Sequence, residues 1–248
     1  MIDLHSHVLF GLDDGAADLD QSVAICRAAA EDGIEVLAAT PHVRHDYPTT
    51  AEQMESRFAE VRDAVLDLVR LVPGGEIDLD ELARPQDELL RFALAGNPRY
   101  LLVETPYVGW PLDLAEQMFR LRARGLTPVL AHPERNADVQ SRPELLEPIV
   151  AGGTLVQLTA AAVDGRLGRG SKRCAETLVE RNLAHLIASD AHAPNVRAIG
   201  MSSAAAALGG GELARWLTVE VPRAIVEDEP LPPRPGTDRP RRRWFARS

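Results

Sequence analysis

Histidines and carboxylates recur in this chain at the ends of apolar runs. His5 and His7 stand in "MIDLHSH", His42 in "ATPH", Glu76 in "PGGE", Glu104 in "LLVET", His132 in "LAHPER", and Asp190 with His192 in "ASDAH". Neutral imidazole nitrogen combined with carboxylate oxygen suits Zn, Mn or Fe, and the absence of cysteine from the set argues against a closed structural zinc site. Side chains alternate along an extended chain, so His5 and His7 share one face with Asp3 behind them, and Asp190 and His192 repeat that spacing. A lone histidine in a strand is more often a core or surface residue than a ligand. The ordered set is what predicts a catalytic metal centre. Two other histidines serve as controls: His185 opens a strand at the opposite end and reads as structural, and His45 in "VRHDYPTT" reads as a solvated loop residue.

The elements that must position these residues follow from the apolar pattern. Short apolar runs ending in turn residues alternate with longer segments of helical period, as in repeated βα units around a parallel sheet. Seven strands are predicted, near 2–5, 34–40, 71–74, 100–104, 126–131, 154–158 and 186–189. Helices are predicted over 18–31, 51–70, 112–124, 143–151 and 171–181, three of them closed by Gly33, Gly125 and Gly152. Six of the seven strands deliver a ligand-type residue at the carboxyl end, where a parallel barrel builds its active site.

At 248 residues the chain suits one large α/β domain. The formal net charge of −10 argues against binding a polyanion such as nucleic acid and suits cation binding. No basic segment followed by an apolar run opens the chain, and no run of roughly 18 apolar residues occurs, so a cytoplasmic location is expected. Cys26 and Cys174 read as reduced, packed thiols. Neither has arginine six positions on, where Asp32 and Glu180 stand, so the Cys-x5-Arg nucleophile loop of thiol-dependent phosphatases is missing. From Pro230 the composition turns to "PLPPRPGTDRPRRRWFARS", formally +5, which leaves −15 on residues 1–229. Residues 230–248 are therefore expected to form a tail without a fold of its own.

Taken together, "MIDLHSH" with "DDG", "ATPH", "PGGE", "LVETP", "LAHPERN" and "ASDAH" with Arg197 resemble, in order and spacing, the PHP (polymerase and histidinol phosphatase) superfamily. More narrowly they resemble its metal-dependent protein-tyrosine phosphatases of bacterial capsule and exopolysaccharide synthesis. The match runs from Met1 to about Glu229. It implies a distorted (β/α)7 TIM-like barrel of the PHP type over 1–229, holding three divalent ions, with Mn2+ favoured and Fe or Zn as alternatives. By motif match, His5, His7, Glu76 and Asp190 surround the first ion, Glu76, Glu104 and His132 the second, and Asp14, His42 and His192 the third. Asp14 and Glu104 stand where the wider superfamily often has histidine, which favours the phosphatase subgroup. Phe10 stands where proline is usual, and "TAAAVDGRLGRGSK" is richer in alanine and arginine than the subgroup pattern.

The resemblance implies a reaction. Three divalent ions against Asp14, Glu76, Glu104 and Asp190 leave a centre of +2, which a phosphomonoester of about −1.5 to −2 nearly neutralises. Arg135 and Arg197 are implied to grip the phosphoryl group, hydroxide arising at the metals is the implied nucleophile, and Asp190 and His192 are the nearest candidates for proton transfer. The implied substrate is a phosphotyrosyl protein, namely a bacterial tyrosine kinase of polysaccharide assembly. A small-molecule phosphatase, such as one acting on histidinol phosphate, is the alternative; a metal-binding regulatory protein without turnover is a second. "GRLGRGSK" has the order Gly-Ser-Lys and lacks the P-loop spacing; it either meets an acidic phosphopeptide or is solvated. The basic tail with Trp244 and Phe245 either touches an anionic membrane surface or the kinase, or remains a solvated end.

Overall fold

The computed structural model describes residues 1–194 and 197–236. Among these residues there are ten strands: β1 Ile2–Asp3, β2 Val36–Ala39, β3 His42–Arg44, β4 Tyr47–Pro48, β5 Arg70–Pro73, β6 Glu76–Ile77, β7 Tyr100–Glu104, β8 Thr127–Ala131, β9 Leu155–Thr159 and β10 Leu186–Ala188. They form two sheets, ordered β1-β2-β5 and β10-β9-β8-β7-β6-β3-β4, and every pairing is parallel except the β3-β4 hairpin. All seven predicted strands are found, and two of them are bent. The chain of β2 turns at Thr40-Pro41 into β3, where proline has no N–H to offer a ladder; that of β5 turns at Gly74-Gly75 into β6. Phe92, fully buried, packs against the second turn, where a Cβ on Gly75 would lie 2.8 Å from its ring. The ends of the order meet through a parallel bridge between Ser6 and Ala191, with His7 N donating to Ala191 O (2.8 Å) and Asp190 N to His5 O (2.9 Å). The result is an α/β fold of parallel strands in two sheets whose ends are joined by this bridge, a likeness to the expected distorted (β/α)7 barrel without a continuous closed sheet among the described residues.

Helices cover the outside. Leu19–Glu31 begins where Asp18 accepts from Gln21 N and buries Ile25, Cys26 and Ala29 along one face. Ala51–Ala64 starts with a capping box of Thr50 and Gln53. It stops six residues short of the predicted end, because Val65 to Val69 turn back on themselves so that Arg70 can enter β5 beside Val36. Leu114–Ala123 and Arg169–Glu180 lie close to their predicted positions, whereas 143–151 divides into a 3-10 turn, Pro143–Leu146, and the helix Glu147–Ala151. Met201–Ala207 and the chain from Glu212 to Val226 are also helical, beyond the predicted elements, and Trp216, Leu217, Val221 and Ile225 are buried in the core. Cys26 and Cys174 are buried and unbridged, and burial pushes each thiol up to about 12.

The start of the expected tail is attached to the body as far as Arg234. Trp216 Nε1 donates to Pro232 O (3.1 Å), and the Arg234 guanidinium lies 5.1 Å from the Trp216 ring centre while donating to Val179 O (2.9 Å) and Ala184 O (2.6 Å). Backbone carbonyls and an indole thus supply partners that composition alone does not reveal. Residues 237–248, including Trp244 and Phe245, lie outside the described residues.

His185 lies just before β10 at this attachment, the base of the sheet, with its ring centre 6.4 Å from that of Trp216. Its Nδ1 accepts from Val156 N (3.1 Å), and burial, helped by Arg234, lowers the imidazole to about 4. An unfolded chain takes up a proton near pH 6.5 that the folded chain refuses until about 4. Stability should therefore fall as pH drops through that window, by up to about 3 kcal/mol from this group. Thermal melts between pH 7 and 4.5 are expected to show a smaller acid loss in His185→Gln than in the parent; equal losses would remove His185 as the cause.

Candidate metal centre

Among the sequence-predicted ligands, His42 and Glu76 open β3 and β6, Glu104 ends β7, His132 directly follows β8, and His5, His7, Asp14, Asp190 and His192 lie on the chain beyond β1 and β10. Register places His42 directly beside Glu76, and Glu76 beside Leu102, two residues before Glu104. His132 and Asp190 follow β8 and β10 in left-handed backbone, with φ of 39° and 54°, and Arg197 adopts φ of 50°. Such conformations cost a residue with a side chain on the order of 1–3 kcal/mol and are retained where the surroundings demand them. Here they turn the side chains inward. Asp190 and His192 therefore share a site through a left-handed turn, not through the extended alternation expected from their spacing.

The donor atoms converge. His5 Nε2 and His7 Nε2 are 3.2 Å apart, and Asp190 Oδ1 lies 3.3 and 3.2 Å from them. Glu76 Oε2 lies 3.2 Å from His5 Nε2, 3.4 Å from His7 Nε2 and 3.1 Å from His42 Nδ1, while Glu76 Oε1 is 2.7 Å from His132 Nε2. Among the described residues, three sets have one potential ligand atom per residue, all within 4.8 Å of one another: His5, His7, Glu76 and Asp190; His7, Asp14, His42 and His192; and His42, Glu76 and Glu104. The first matches the implied first ion residue for residue. The second contains the implied third-ion residues with His7 added. The third has His42 where the resemblance placed His132, which instead meets Glu76 from the other side.

These residues are suited to cations. Glu76 Oε2, Asp190 Oδ1 and His192 Nε2 are buried and make no hydrogen bond, although imidazole nitrogens or carboxylate oxygens crowd within 3.1 to 3.6 Å of each. Lone pairs facing lone pairs in a buried space need positive charge between them. On the protein's charges alone that charge comes from protons. Burial opposes the charged form of His42, but Glu104 and Glu76 outweigh it and raise the imidazole to about 9. His5 and His7 are also raised, whereas Glu76 and Asp190 are held well below the usual carboxylate range, His5 being the main charge that overcomes their burial. His192 is the exception: burial, then the neighbouring His7, lowers it to about 4, leaving a neutral imidazole. Cations entering such a site displace protons, so their affinity falls with acid.

The implied phosphate-gripping arginines reach the same place. Arg135 Nη1 donates to Asp190 Oδ2 (2.6 Å); Arg197 donates to Asp190 Oδ2 and to Asp14 Oδ2, both at 3.1 Å. The control histidines stay out: His185 is at the base, and His45 is exposed.

Sequence reasoning missed several partners. Asp13 Oδ2 lies 2.7 Å from His7 Nδ1 and accepts from His42 N (2.9 Å), which turns the His7 Nε2 lone pair towards the other donors. Gln157 Oε1 does the same for His5 Nδ1 at 2.9 Å. The one available signal was "DDG": a Cβ on Gly15 would fall 2.1 Å from His7 O, so glycine is what allows the loop to bring Asp13 under His7. Tyr107 and Tyr47 lie nearly parallel to His132 and His42, with ring centres 5.7 and 5.5 Å apart, and Arg44 contacts Glu104.

Comparison with known proteins identifies a family. A family model described as "Capsular polysaccharide synthesis, CpsB/CapC" matches residues 1–227. The chain is 36% identical over 201 residues to the tyrosine-protein phosphatase YwqE of Bacillus subtilis, covering 77% of each chain. It is 27% identical over 241 residues to the tyrosine-protein phosphatase CpsB of Streptococcus pneumoniae, covering 92% of this chain and 99% of the other. A crystal structure from work on YwqE and CpsB, described as unique metal-dependent tyrosine phosphatases, superposes with a TM-score of 0.87 at 31% identity, over 95% of this chain and 99% of that one. The histidinol phosphate phosphatase of Lactococcus lactis shares the fold at a TM-score of 0.57 and 12% identity. The chain belongs to the CpsB/CapC family of capsular polysaccharide synthesis.

Proposed function

We propose that this protein is a metal-dependent protein-tyrosine phosphatase whose substrate is a bacterial tyrosine kinase of capsule or exopolysaccharide assembly. Residues 1–229 form the catalytic unit, and the reaction is assigned to the cytoplasm. The carrying observation is the convergence of buried histidine nitrogens on Glu76 and Asp190 with unsatisfied oxygens between them. Three divalent ions, Mn2+ in preference to Fe or Zn, are assigned to it. His5, His7, Glu76 and Asp190 hold the first; Glu76, Glu104 and His132 hold the second, with His42 alongside; Asp14, His42 and His192 hold the third. Bound there, divalent ions supply a water of lowered pKa and Lewis-acid charge against phosphoryl oxygens.

The protein's own residues do the rest. Arg135 and Arg197 are 18% and 29% exposed, so each reaches outward from Asp190 towards an incoming phosphoryl group and meets its growing equatorial charge. Asp13 and Gln157 fix the two N-terminal imidazoles, so no reorganisation is needed at the moment of reaction. A phenolate leaving group, of pKa about 10, departs with less protonation than an alkoxide needs. That fits a site in which Asp190 and His192, the nearest proton carriers, are both assigned to ions. No helix among the described residues is long and apolar enough to cross a membrane.

Phosphate release from a phosphotyrosyl peptide, histidinol phosphate and a cyclic diester, with Mn2+ and then with chelator, tests the proposal. Turnover of the peptide that chelator abolishes is expected. An inert peptide beside a hydrolysed histidinol phosphate would make the protein a small-molecule phosphatase.

A further inference from the structure

One guanidinium at the centre has no part in the reaction described above. Arg44, the last residue of β3, donates through Nη1 to both Glu104 oxygens, at 3.0 and 3.3 Å. Its other edge is taken by Asp46, with Nε to Oδ1 at 2.5 Å and Nη2 to Oδ2 at 2.7 Å. The β3-β4 hairpin pairs Arg44 with Tyr47, whose ring centre lies 5.5 Å from the guanidinium carbon. A planar guanidinium gripped in this two-pronged way has little rotational freedom left. The Glu104 side chain is 4% exposed, and its Oε2 lies 3.5 Å from His42 Nδ1. Asp46 is 58% exposed, and its carboxylate bonds to Arg44 through both oxygens. Arg135, by contrast, donates to Asp190 alone, and Arg197 divides its two terminal nitrogens between Asp14 and Asp190.

We propose that Arg44 is a positioning residue: clamped by Asp46, it fixes the plane of the Glu104 carboxylate and so sets the affinity of the ion that Glu104 and Glu76 share. This rests on the metal assignment of the proposed function. Groups bonded to metal ligands typically change metal affinity 10–100-fold when removed. Asp46 acts only through Arg44, so its loss should matter only while Arg44 is present.

The test is Mn2+ titration of chelator-stripped protein, reading free Mn2+ by its electron paramagnetic resonance signal, for the parent, Arg44→Ala, Asp46→Asn and the double variant. The expected result is one Mn2+ weakened about 10-fold or more in Arg44→Ala, with the remaining ions retained. Asp46→Asn should show a smaller weakening, and the double variant should bind as Arg44→Ala does. The kcat lost at low Mn2+ should return at high Mn2+ with KM for the phosphopeptide unchanged. Asp46→Asn leaves the Arg44 side chain in place and serves if Arg44→Ala does not fold. Unchanged Mn2+ affinities with a raised KM at every Mn2+ concentration would overturn the proposal and make Arg44 a substrate contact. A parent protein that binds no Mn2+ would overturn the metal assignment itself, before any variant is compared.

Discussion

Glu76→Gln is expected to lower kcat towards phosphotyrosyl peptide by more than about 10³-fold, a loss of about 4 kcal/mol of transition-state stabilisation. The reason is position. Glu76 touches four imidazoles, those of His5, His7, His42 and His132, and is the residue assigned to two ions at once. An amide cannot bridge as a carboxylate does, because one of its ends is a donor with no lone pair. Buried charge also leaves the cluster, and removing one partner of a buried charged network costs about 3–5 kcal/mol of stability. The two effects separate experimentally. Glu76→Asp keeps the charge but shortens the reach; it should fold more stably than Glu76→Gln while remaining severely impaired in kcat. Near-ultraviolet circular dichroism establishes folding, and steady-state kinetics at saturating Mn2+ reads the loss. Retention of a tenth or more of the parent kcat by folded Glu76→Gln would remove Glu76 from the centre of the mechanism.

Arg135→Ala and Arg197→Ala carry the second largest expectation, about 10²–10³-fold in kcat each, the usual cost of deleting a preorganised group aimed at developing charge. Metal content should change little in either, since neither guanidinium is a ligand. Both donate to Asp190 Oδ2, the oxygen turned away from His5 and His7, so each also steadies a carboxylate assigned to an ion. The test of role is therefore a split: a fall in kcat with the bound Mn2+ count retained marks a group acting on the phosphoryl charge, whereas loss of Mn2+ in proportion to activity marks one acting on Asp190 alone. Arg135→Lys should not restore the parent rate, because a point charge cannot reproduce the planar fork. Arg135 also lies over the Tyr107 ring, 4.6 Å from its centre. That contact limits where the guanidinium can swing once Asp190 is engaged elsewhere.

Much of this centre was legible because its chemistry is expensive to bury. A histidine or carboxylate at the end of an apolar run must be satisfied, and eight such residues in order left few folds open to the chain. The strands were legible for the same reason: "YLLVE" and "TPVLA" are apolar on both faces and are fully or nearly fully buried. What escaped were relationships between distant positions. His42 was assigned by motif to one ion, yet its Nδ1 faces Glu76 and Glu104 while its Nε2 lies near Asp14, a sharing that only the parallel register of β3 and β6 makes apparent. Gln157 and Arg44 hold His5 and Glu104 from 152 and 60 positions away, and no local pattern marks them, while Asp13, 6 positions from His7, is marked only by the glycine of "DDG". The bends that split β2 from β3 and β5 from β6 depend on Pro41 and Gly75, where the missing N–H and missing Cβ could equally have ended a strand.

Metal content measured on the same samples as turnover addresses the central claim most directly. Protein stripped with chelator and reconstituted with Mn2+ should hold close to three ions per chain, and phosphotyrosyl peptide hydrolysis should rise as those ions are restored. Fewer than one ion per chain after reconstitution, or hydrolysis that persists in the stripped protein, would contradict the account.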